Sequence, residues 1–411
     1  MHLLFFNRSF YPDIEATGQF LTELCEDLIS YGHTVTVVAG YSHHVNNKKT
    51  RSLIKKEEYK SIKIIRVYGT QFPKNFLFCR LINLTTYFLS AFVGGFFVEN
   101  KPDVVIAQTD PPVSGLLGIC FGKLYNAKFI YSCKDLYPEI GIVTGRLTNP
   151  FLNLLLKEIN LLSFKLAHKV ICLGDDMKRK IVKKGISEEK IEIVYDWANL
   201  ENLYPINKNS NPFVKSHNLQ NSFTVMYSGN IGLTQGLEKI VDVANYFKSN
   251  HSIKFLIVGD GANKTNLQKL VKEKELTNIQ FLPYQQRNEL KYSLGAADIH
   301  LITIEKGLGG VMVPSKIYGI LACGKPFIAW IDEDSEISVI AKKYNCGITL
   351  SPGDISAMIQ TIEGCLSNPQ KMLDMGKNGL EAATKYYERR ISTSKFNQII
   401  IKETMMTKEK S

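Results

Sequence analysis

The chain has 411 residues, 45% of them hydrophobic and 22% charged, and at roughly 150 residues per domain it holds two or three domains with room for a core in each half. That composition excludes a disordered chain, a collagen-like fibre and a polytopic membrane protein. Fifty basic residues against 39 acidic ones give a formal charge of +11, which suits an anionic partner: nucleic acid, a phosphorylated metabolite or an acidic membrane.

The N-terminus, Met1-His2-Leu3-Leu4-Phe5-Phe6, lacks the basic region and cleavage site of a signal peptide, so the expected compartment is the cytoplasm. Leu3–Phe6 reads as a strand ended by Asn7-Arg8-Ser9. From Gly18 the apolar residues Phe20, Leu21, Leu24, Leu28 and Ile29 recur at helical spacing until Gly32, and Val35–Ala39 is a second strand. This is a βαβ unit with parallel neighbouring strands. Residues 81–98 carry no charge over 18 positions, the lower limit for a membrane span, although Asn83, Thr85, Thr86 and Gly94-Gly95 weaken that reading. A buried crossover helix, a helix in the membrane interface and a true span all remain open here. The strand–helix grammar repeats over Val104–Ala107, Val113–Leu124 and Phe129–Ser132, and again over Val170–Leu173, Met177–Lys184 and Ile191–Val194.

Residues 197–223 break the rhythm, and Asn207-Lys208-Asn209-Ser210-Asn211-Pro212 reads as a linker. The grammar restarts with strand Phe223–Ser228, helix Gly236–Lys248 and strand Ile253–Val258, closed by Gly259-Asp260-Gly261. Strands Ile279–Leu282 and Ile299–Ile302, helix Ser315–Cys323 and strand Pro326–Trp330 follow. Two doubly wound α/β domains explain this pattern, with ligands at the carboxyl ends of the strands, in a cleft between the domains. The tail from Thr404 reads as frayed. The eight cysteines are scattered without CxxC spacing, most in apolar stretches such as Gly118-Ile119-Cys120-Phe121. They read as buried reduced thiols rather than a zinc site or disulfide framework.

No Walker A, HExxH or GxSxG motif occurs, and no GxGxxG follows the first strand. Two glycine-bearing turns follow strands instead. Gly229-Asn230-Ile231-Gly232 lets backbone amides approach an anion, with the next helix offering its N-terminus; the plainer alternative is an ordinary tight turn. The second runs from Glu305 to Lys316. Its glycines can pack on a ligand, Pro314 can preset the first helical turn and Ser315 can cap it. Lys316 then opposes the helix dipole, a conflict that an anion such as a diphosphate would resolve; the alternative is a solvated lysine. In the N-terminal half, Lys134-Asp135-Leu136-Tyr137-Pro138-Glu139 sets two carboxylates at a strand end, fit for acid–base work or merely an exposed turn. Ala16-Thr17-Gly18 opens the first helix where a phosphate could dock.

In these residues the sequence resembles the family 4 glycosyltransferases of the GT-B fold. The landmarks are Tyr11-Pro12, Gly32-His33-Thr34-Val35, Thr109-Asp110-Pro111-Pro112, Asp135-Leu136-Tyr137-Pro138-Glu139, Tyr227-Ser228-Gly229-Asn230, Val258-Gly259-Asp260-Gly261 and Val313-Pro314-Ser315-Lys316 running to Ala322-Cys323-Gly324-Lys325-Pro326. Seven motifs in the correct order cover nearly the whole chain. The nearest flavour is the bacterial envelope-polysaccharide branch, fucosamine-transferase-like and colanic-acid-transferase-like.

The resemblance implies two Rossmann-like domains facing a cleft: an acceptor domain over 1–205, a nucleotide-sugar domain over 206–385, and a final helix over 386–411 returning toward the first. It implies a retaining transfer from a nucleotide sugar, UDP-linked, to a polyprenyl-diphosphate-linked saccharide, with no metal and no other cofactor. Gly229, Asn230 and Gly232 would face the diphosphate and sugar. Ser315 and Lys316 would grip the diphosphate with amides from Gly309 and Gly310. Pro283 and Tyr284 would border the base, and Glu305 would reach the sugar. Thr17, Gly18 and Lys134 would line the acceptor side, with Asp135 and Glu139 near the reacting centre. Catalysis would be mostly positioning and stabilisation of the leaving phosphate.

Three departures stand out. A glutamate pair common in the family, seven residues apart, has its second position on Gly319 and its first near Val311, so the pair is absent. An arginine and a lysine after the first strand of the second domain read Asn230 and Gln235, which throws the diphosphate onto Lys316. A His-Asp pair reads Lys134-Asp135. These keep two rivals in view, a GT-B nucleotide-sugar 2-epimerase and a non-catalytic GT-B subunit. The run Lys48-Lys49-Thr50-Arg51, Lys55-Lys56, Lys60 and Lys63, near the apolar 81–98 segment, would suit the anionic inner leaflet of the plasma membrane, where such an enzyme would sit peripherally; the alternative is a solvated loop. No nucleic-acid module is recognisable.

Overall fold

The computed structural model describes residues 1–13, 15–42, 52–72, 77–145 and 147–408. They form two compact units, Met1–Tyr195 with Arg390–Ser411, and Asp196–Arg389.

The first unit is built on one sheet of β1 (His2–Phe6), β2 (Thr34–Gly40), β3 (Ile54–Tyr59), β4 (Ile62–Val67), β5 (Val104–Gln108), β6 (Lys128–Ser132), β7 (Lys169–Cys172) and β8 (Ile191–Ile193). The order is β3-β4-β2-β1-β5-β6-β7-β8. Neighbours run parallel except in the β3–β4 hairpin. Every residue of β1 and β5 is buried, as in a parallel sheet covered on both faces. The strand order reverses at β1, which lies between β2 and β5, so the carboxyl ends of β1 and β5 bound a crevice.

The apolar 81–98 segment lies in helix Leu77–Gly94 and the turn Gly95–Phe97. Asn83, Tyr87, Ala91 and Gly94 form its buried face, while Leu89, Phe92, Val93, Phe96 and Phe97 are exposed. Phe92 and Phe96 sit 5.6 and 5.3 Å from Phe121, centroid to centroid. Among the described residues no helix is long and apolar enough to cross a membrane, so the span reading falls.

Part of the expected basic run is ion-paired. Lys55 pairs with Glu57 at 2.9 Å, Lys60 with Glu26 at 2.9 Å, and Lys56 and Lys63 both with Glu99, at 3.1 and 2.7 Å. Carboxylates thus meet each of these four lysines; Lys48, Lys49, Thr50 and Arg51 lie outside the described residues. Two further expectations change. Cys120 is exposed, because Gly118, Phe121 and Gly122 rather than Cys120 form the buried face of helix Ser114–Leu124. The expected fraying from Thr404 gives way to helix Arg389–Lys408, in which the Thr404 hydroxyl donates to the Ile400 carbonyl at 3.0 Å; the last three residues lie outside the described set. This helix packs in the first unit, where His33 Nε2 lies 2.7 Å from Asn397 Oδ1.

The second unit holds β9 (Phe223–Ser228), β10 (Ile253–Val258), β11 (Ile279–Leu282), β12 (Ile299–Thr303), β13 (Phe327–Trp330) and β14 (Gly347–Leu350), all parallel, in the order β11-β10-β9-β12-β13-β14. Val225, Tyr227, Phe255, Ile257, Leu301 and Ile328 anchor its core against helix Leu237–Tyr246. Here the reversal falls between β9 and β12. Their register covers only Val225↔Ile299 and Met226↔His300, so the ladder stops before the carboxyl ends and leaves them apart.

Candidate functional site

In the second unit, two turns at the strand ends are locked together by main chain. Gly229 N–H donates to the Val258 carbonyl at 2.9 Å, Ile231 N–H to Asp260 at 2.8 Å and Asn263 N–H to Ile231 at 3.0 Å. A Cβ on Gly259, whose φ is +147°, would stand 1.9 Å from the Gly229 carbonyl oxygen, so only glycine lets these turns meet.

Tyr227, buried at the end of β9, supports the first turn; its hydroxyl donates to the Asn230 carbonyl at 2.6 Å. Lys316 Nζ lies 3.6 Å from the centre of the Tyr227 ring. A Cβ on Gly229 (φ +144°) would come within 3.1 Å of the same Nζ. The residue as a whole is partly accessible, yet its Nζ is shut off from solvent and has no hydrogen-bond partner among the described residues. Burial alone pushes this amine down to about 7. A desolvated ammonium without a counter-ion is costly, and the aromatic face offsets only part of that cost.

Lys316 opens helix Lys316–Ala322, only seven residues long. A helix so short has little dipole to oppose; burial is what disfavours the charge. Ser315 makes no side-chain cap and is itself helical (φ −61°, ψ −15°), which corrects the expected capping role.

Asn230 and Gln235 converge over Gly232, where a Cβ would stand 2.8 Å from Gln235 Oε1 and 3.0 Å from Asn230 Nδ2. Gln235 Nε2 donates to Thr234 Oγ1 at 2.7 Å, leaving Oε1 buried without a partner. Glu305 follows β12; its N–H donates to the Thr234 carbonyl at 2.9 Å. Its Oε1 would lie 2.8 Å from a Cβ on Gly236, the residue before helix Leu237–Tyr246. A carboxylate therefore stands beside the helix start where a phosphate was expected, without making a side-chain cap there. The amides of Gly307 and Gly309 both donate to Asp332 Oδ2 at 2.9 Å, so the Gly309 amide, expected to face a diphosphate, is engaged within the protein. Gly310 is buried beside it. Pro283 and Tyr284, after β11, are exposed, and the Tyr284 hydroxyl reaches the Asp260 carbonyl at 3.4 Å. Gly229, Asn230, Gly232, Glu305 and Lys316 thus gather around two strand ends, whereas Ser315, Gly309 and Gly310 serve the loop that delivers Lys316.

In the first unit, the amides of Lys134 and Asp135, after β6, both donate to Thr109 Oγ1, at 3.0 and 3.1 Å. Thr109 follows β5, so one hydroxyl fixes both residues. Glu139 opens helix Glu139–Val143 and is ion-paired with Lys184, its Oε2 buried and without a hydrogen-bond partner. Thr17 lies half-buried in the first turn of helix Ala16–Ser30. Gly18 is buried; a Cβ there would meet the Ser9–Phe10 backbone at 3.3 Å.

A cluster that the sequence reading missed lies beside it. Arg8 Nη2 pairs with Asp110 Oδ1 at 2.9 Å, and the Arg8 amide donates to the Asp110 carbonyl at 2.8 Å. Ser9 Oγ lies 2.7 Å from Asp110 Oδ2 and 3.1 Å from Glu15 Oε2. These residues follow β1 and β5, the strands that flank the reversal. Only the strand order, which no local pattern carries, marks them. Among the described residues no group of His, Cys, Asp and Glu could hold a metal ion.

Two doubly wound units, each with polar groups gathered at the reversal of its strand order, are the architecture of the GT-B fold. Known proteins place it more closely. The Glycosyltransferase Family 4 model matches residues 17–202 and the model for Glycosyl transferases group 1 matches residues 209–382. The putative colanic acid biosynthesis glycosyl transferase WcaI of Escherichia coli is 23% identical over 90% of this chain and 93% of its own. The probable glycosyltransferase WbjE of Pseudomonas aeruginosa is 27% identical over 64% of this chain and 66% of its own. The crystal structure of Anabaena HepE in complex with UDP superposes with a TM-score of 0.75 at 13% identity, covering 98% of this chain and 100% of that one. The chain belongs to family 4 of the GT-B glycosyltransferases and is related to enzymes of polysaccharide biosynthesis.

Proposed function

We propose that this protein is a metal-independent, retaining transferase that moves an N-acetylated or deoxy hexosamine from a UDP-sugar to a polyprenyl-diphosphate-linked saccharide, in O-antigen or capsule synthesis. The observation that carries the donor side is Lys316: a buried ammonium without a counter-ion, held against Tyr227 and Gly229 at a strand-order reversal. An anion there relieves the cost of its burial. The structural neighbour HepE has been solved with UDP and with UDP-glucose, which favours a uridine nucleotide as that anion.

The geometry supports the following roles. Lys316 stabilises charge on the departing diphosphate, where a fixed cation in a dry site acts far more strongly than in water. Asn230 and Gln235 offer neutral amides to the diphosphate or sugar, and Glu305 accepts from sugar hydroxyls. Tyr284 borders the base. In the first unit, Asp135 and Lys134, held by Thr109, meet the acceptor with Thr17 and Gly18. Glu139, tied to Lys184, holds this turn in place. The exposed Leu89, Phe92, Val93, Phe96 and Phe97 support peripheral attachment to a membrane surface carrying a lipid-linked acceptor.

The test is transfer itself. Purified protein is incubated with UDP-hexosamines and polyprenyl-diphosphate saccharides in detergent, with and without EDTA, and the product is read by mass spectrometry and its anomeric configuration by NMR. Transfer with retention, unaffected by EDTA and reduced at least ~100-fold in kcat/KM by Lys316→Met, is the expected result. Failure to transfer or hydrolyse any nucleotide sugar would leave the chain a non-catalytic subunit and sink the proposal.

A further inference from the structure

Resting on the donor site read above, we infer that Lys316 stands uncharged in part of the free protein and takes up a proton when the donor's diphosphate arrives, so that this enzyme binds its nucleotide sugar together with one proton. The geometry is what calls for this. Nζ is shut off from water, lacks any hydrogen-bond partner among the described residues, and lies over an aromatic ring against Gly229. The positions where the family resemblance leads one to expect fixed cations carry neutral amides, Asn230 and Gln235. The turn itself carries no cation; on the facing turn Lys264 Nζ donates to the Gly259 carbonyl at 3.3 Å and lies 3.9 Å from Asp260, whose carboxylate offsets its charge.

The titratable neighbours do not supply the missing charge. Tyr227, on β9, is held protonated by its own burial. His300, on β12, is fully buried with Nε2 2.9 Å from the Leu294 carbonyl, and burial pushes it down to about 4, so it is neutral. Lys325, at the far end of helix Lys316–Ala322, is a like charge that is itself lowered by burial. Glu305 and Asp332, on the loops after β12 and β13, face Gly236 and the Gly307 and Gly309 amides respectively. Burial is the single cause that shifts Lys316, at about 7. A dianion entering the same dry space reverses the balance, because an opposite charge within a few ångströms favours the charged amine. The proton comes from solvent, and no bond other than N–H forms.

Calorimetry of UDP-N-acetylglucosamine binding tests this. The sugar diphosphate is a diester with no ionisation near neutrality, so any proton exchanged belongs to the protein. At pH 8.0, titrations in HEPES and in Tris should differ in apparent enthalpy by the uptake of close to one proton, and at pH 5.5 titrations in MES and in Bis-Tris should show no such difference. Affinity should fall about 30-fold between pH 6.0 and 8.5, the loss set by the shrinking charged fraction of an amine near 7. Lys316→Arg, charged at every pH, should bind with neither proton uptake nor pH dependence, and Lys316→Met should bind weakly at all pH values. Tight binding with no proton uptake at pH 8.0 overturns the inference while leaving the donor site in place; wild-type affinity in Lys316→Met removes Lys316 from the donor site, and the inference falls with it. No binding of UDP-N-acetylglucosamine or any other nucleotide sugar at pH 6.0 overturns the donor site itself, and the inference with it.

Discussion

Replacing Lys316 by methionine should stabilise the protein, and only below alkaline pH. The free lysine titrates near 10.5 and the folded one at about 7. Between these values the unfolded chain binds a proton that the native state does not, so native stability rises with pH across this window and is lowest below pH 7. At 1.36 kcal/mol per pKa unit the burden is at most about 5 kcal/mol at pH 6. The ring of Tyr227 returns up to about 2 kcal/mol, which the methionine forfeits. Methionine fills the same unbranched path, so the net gain at pH 6 is about 2–3 kcal/mol. For a unit of this size that is roughly 5–10 °C in the calorimetric transition of Asp196–Arg389. The gain should shrink steadily from pH 7 to pH 9. A variant that melts lower than wild type at pH 6, or whose difference ignores pH, would refute the reasoning.

Gly229→Ala places a methyl 3.1 Å from Lys316 Nζ at φ +144°; it should cost about 1–3 kcal/mol and weaken nucleotide binding, read by thermal melts with and without UDP. Asp332→Ala frees the Gly307 and Gly309 amides and should cost about 1–3 kcal/mol, with faster hydrogen exchange confined to residues 305–315; unchanged exchange would remove Asp332 from its role in the loop. Lys184→Met leaves the Glu139 carboxylate part-buried without its partner and should lower the melting temperature as much as Glu139→Gln does, the double variant being no worse than either. Full additivity would show that the two do not act as a pair. Phe92→Glu with Phe97→Glu should reduce flotation with anionic vesicles without moving the melting temperature; equal flotation would detach that face from any membrane.

The alternation of apolar strands with helical spacing was enough to place most of both sheets, because parallel strands covered on both faces are short continuous apolar runs. The β3–β4 hairpin escaped because an edge strand tolerates Lys55, Lys56, Glu57 and Glu58. Its two-residue turn, Lys60-Ser61, also has positive φ at both positions without the Asn-Gly pair that would announce it. Lys316 was legible as a candidate, but through the wrong cause: a dipole argument for a helix that proves to be two turns long. Its isolation depends on Tyr227 and Gly229, some ninety residues away in sequence. The pairing of Glu139 was not legible because its partner, Lys184, is 45 residues distant. The Arg8–Asp110 pair belongs to strand order, and strand order is a property of the whole sheet.

The most direct test of the donor site is thermal stabilisation by UDP, GDP, ADP, CMP and dTDP at pH 6, on wild type and Lys316→Met. A ligand at a hundred times its Kd adds about 2.7 kcal/mol to a folded state that alone binds it. The account predicts a clear rise in melting temperature with UDP, little with CMP, and loss of the UDP effect in Lys316→Met. No rise with any nucleotide, or an undiminished UDP effect in the variant, would contradict it.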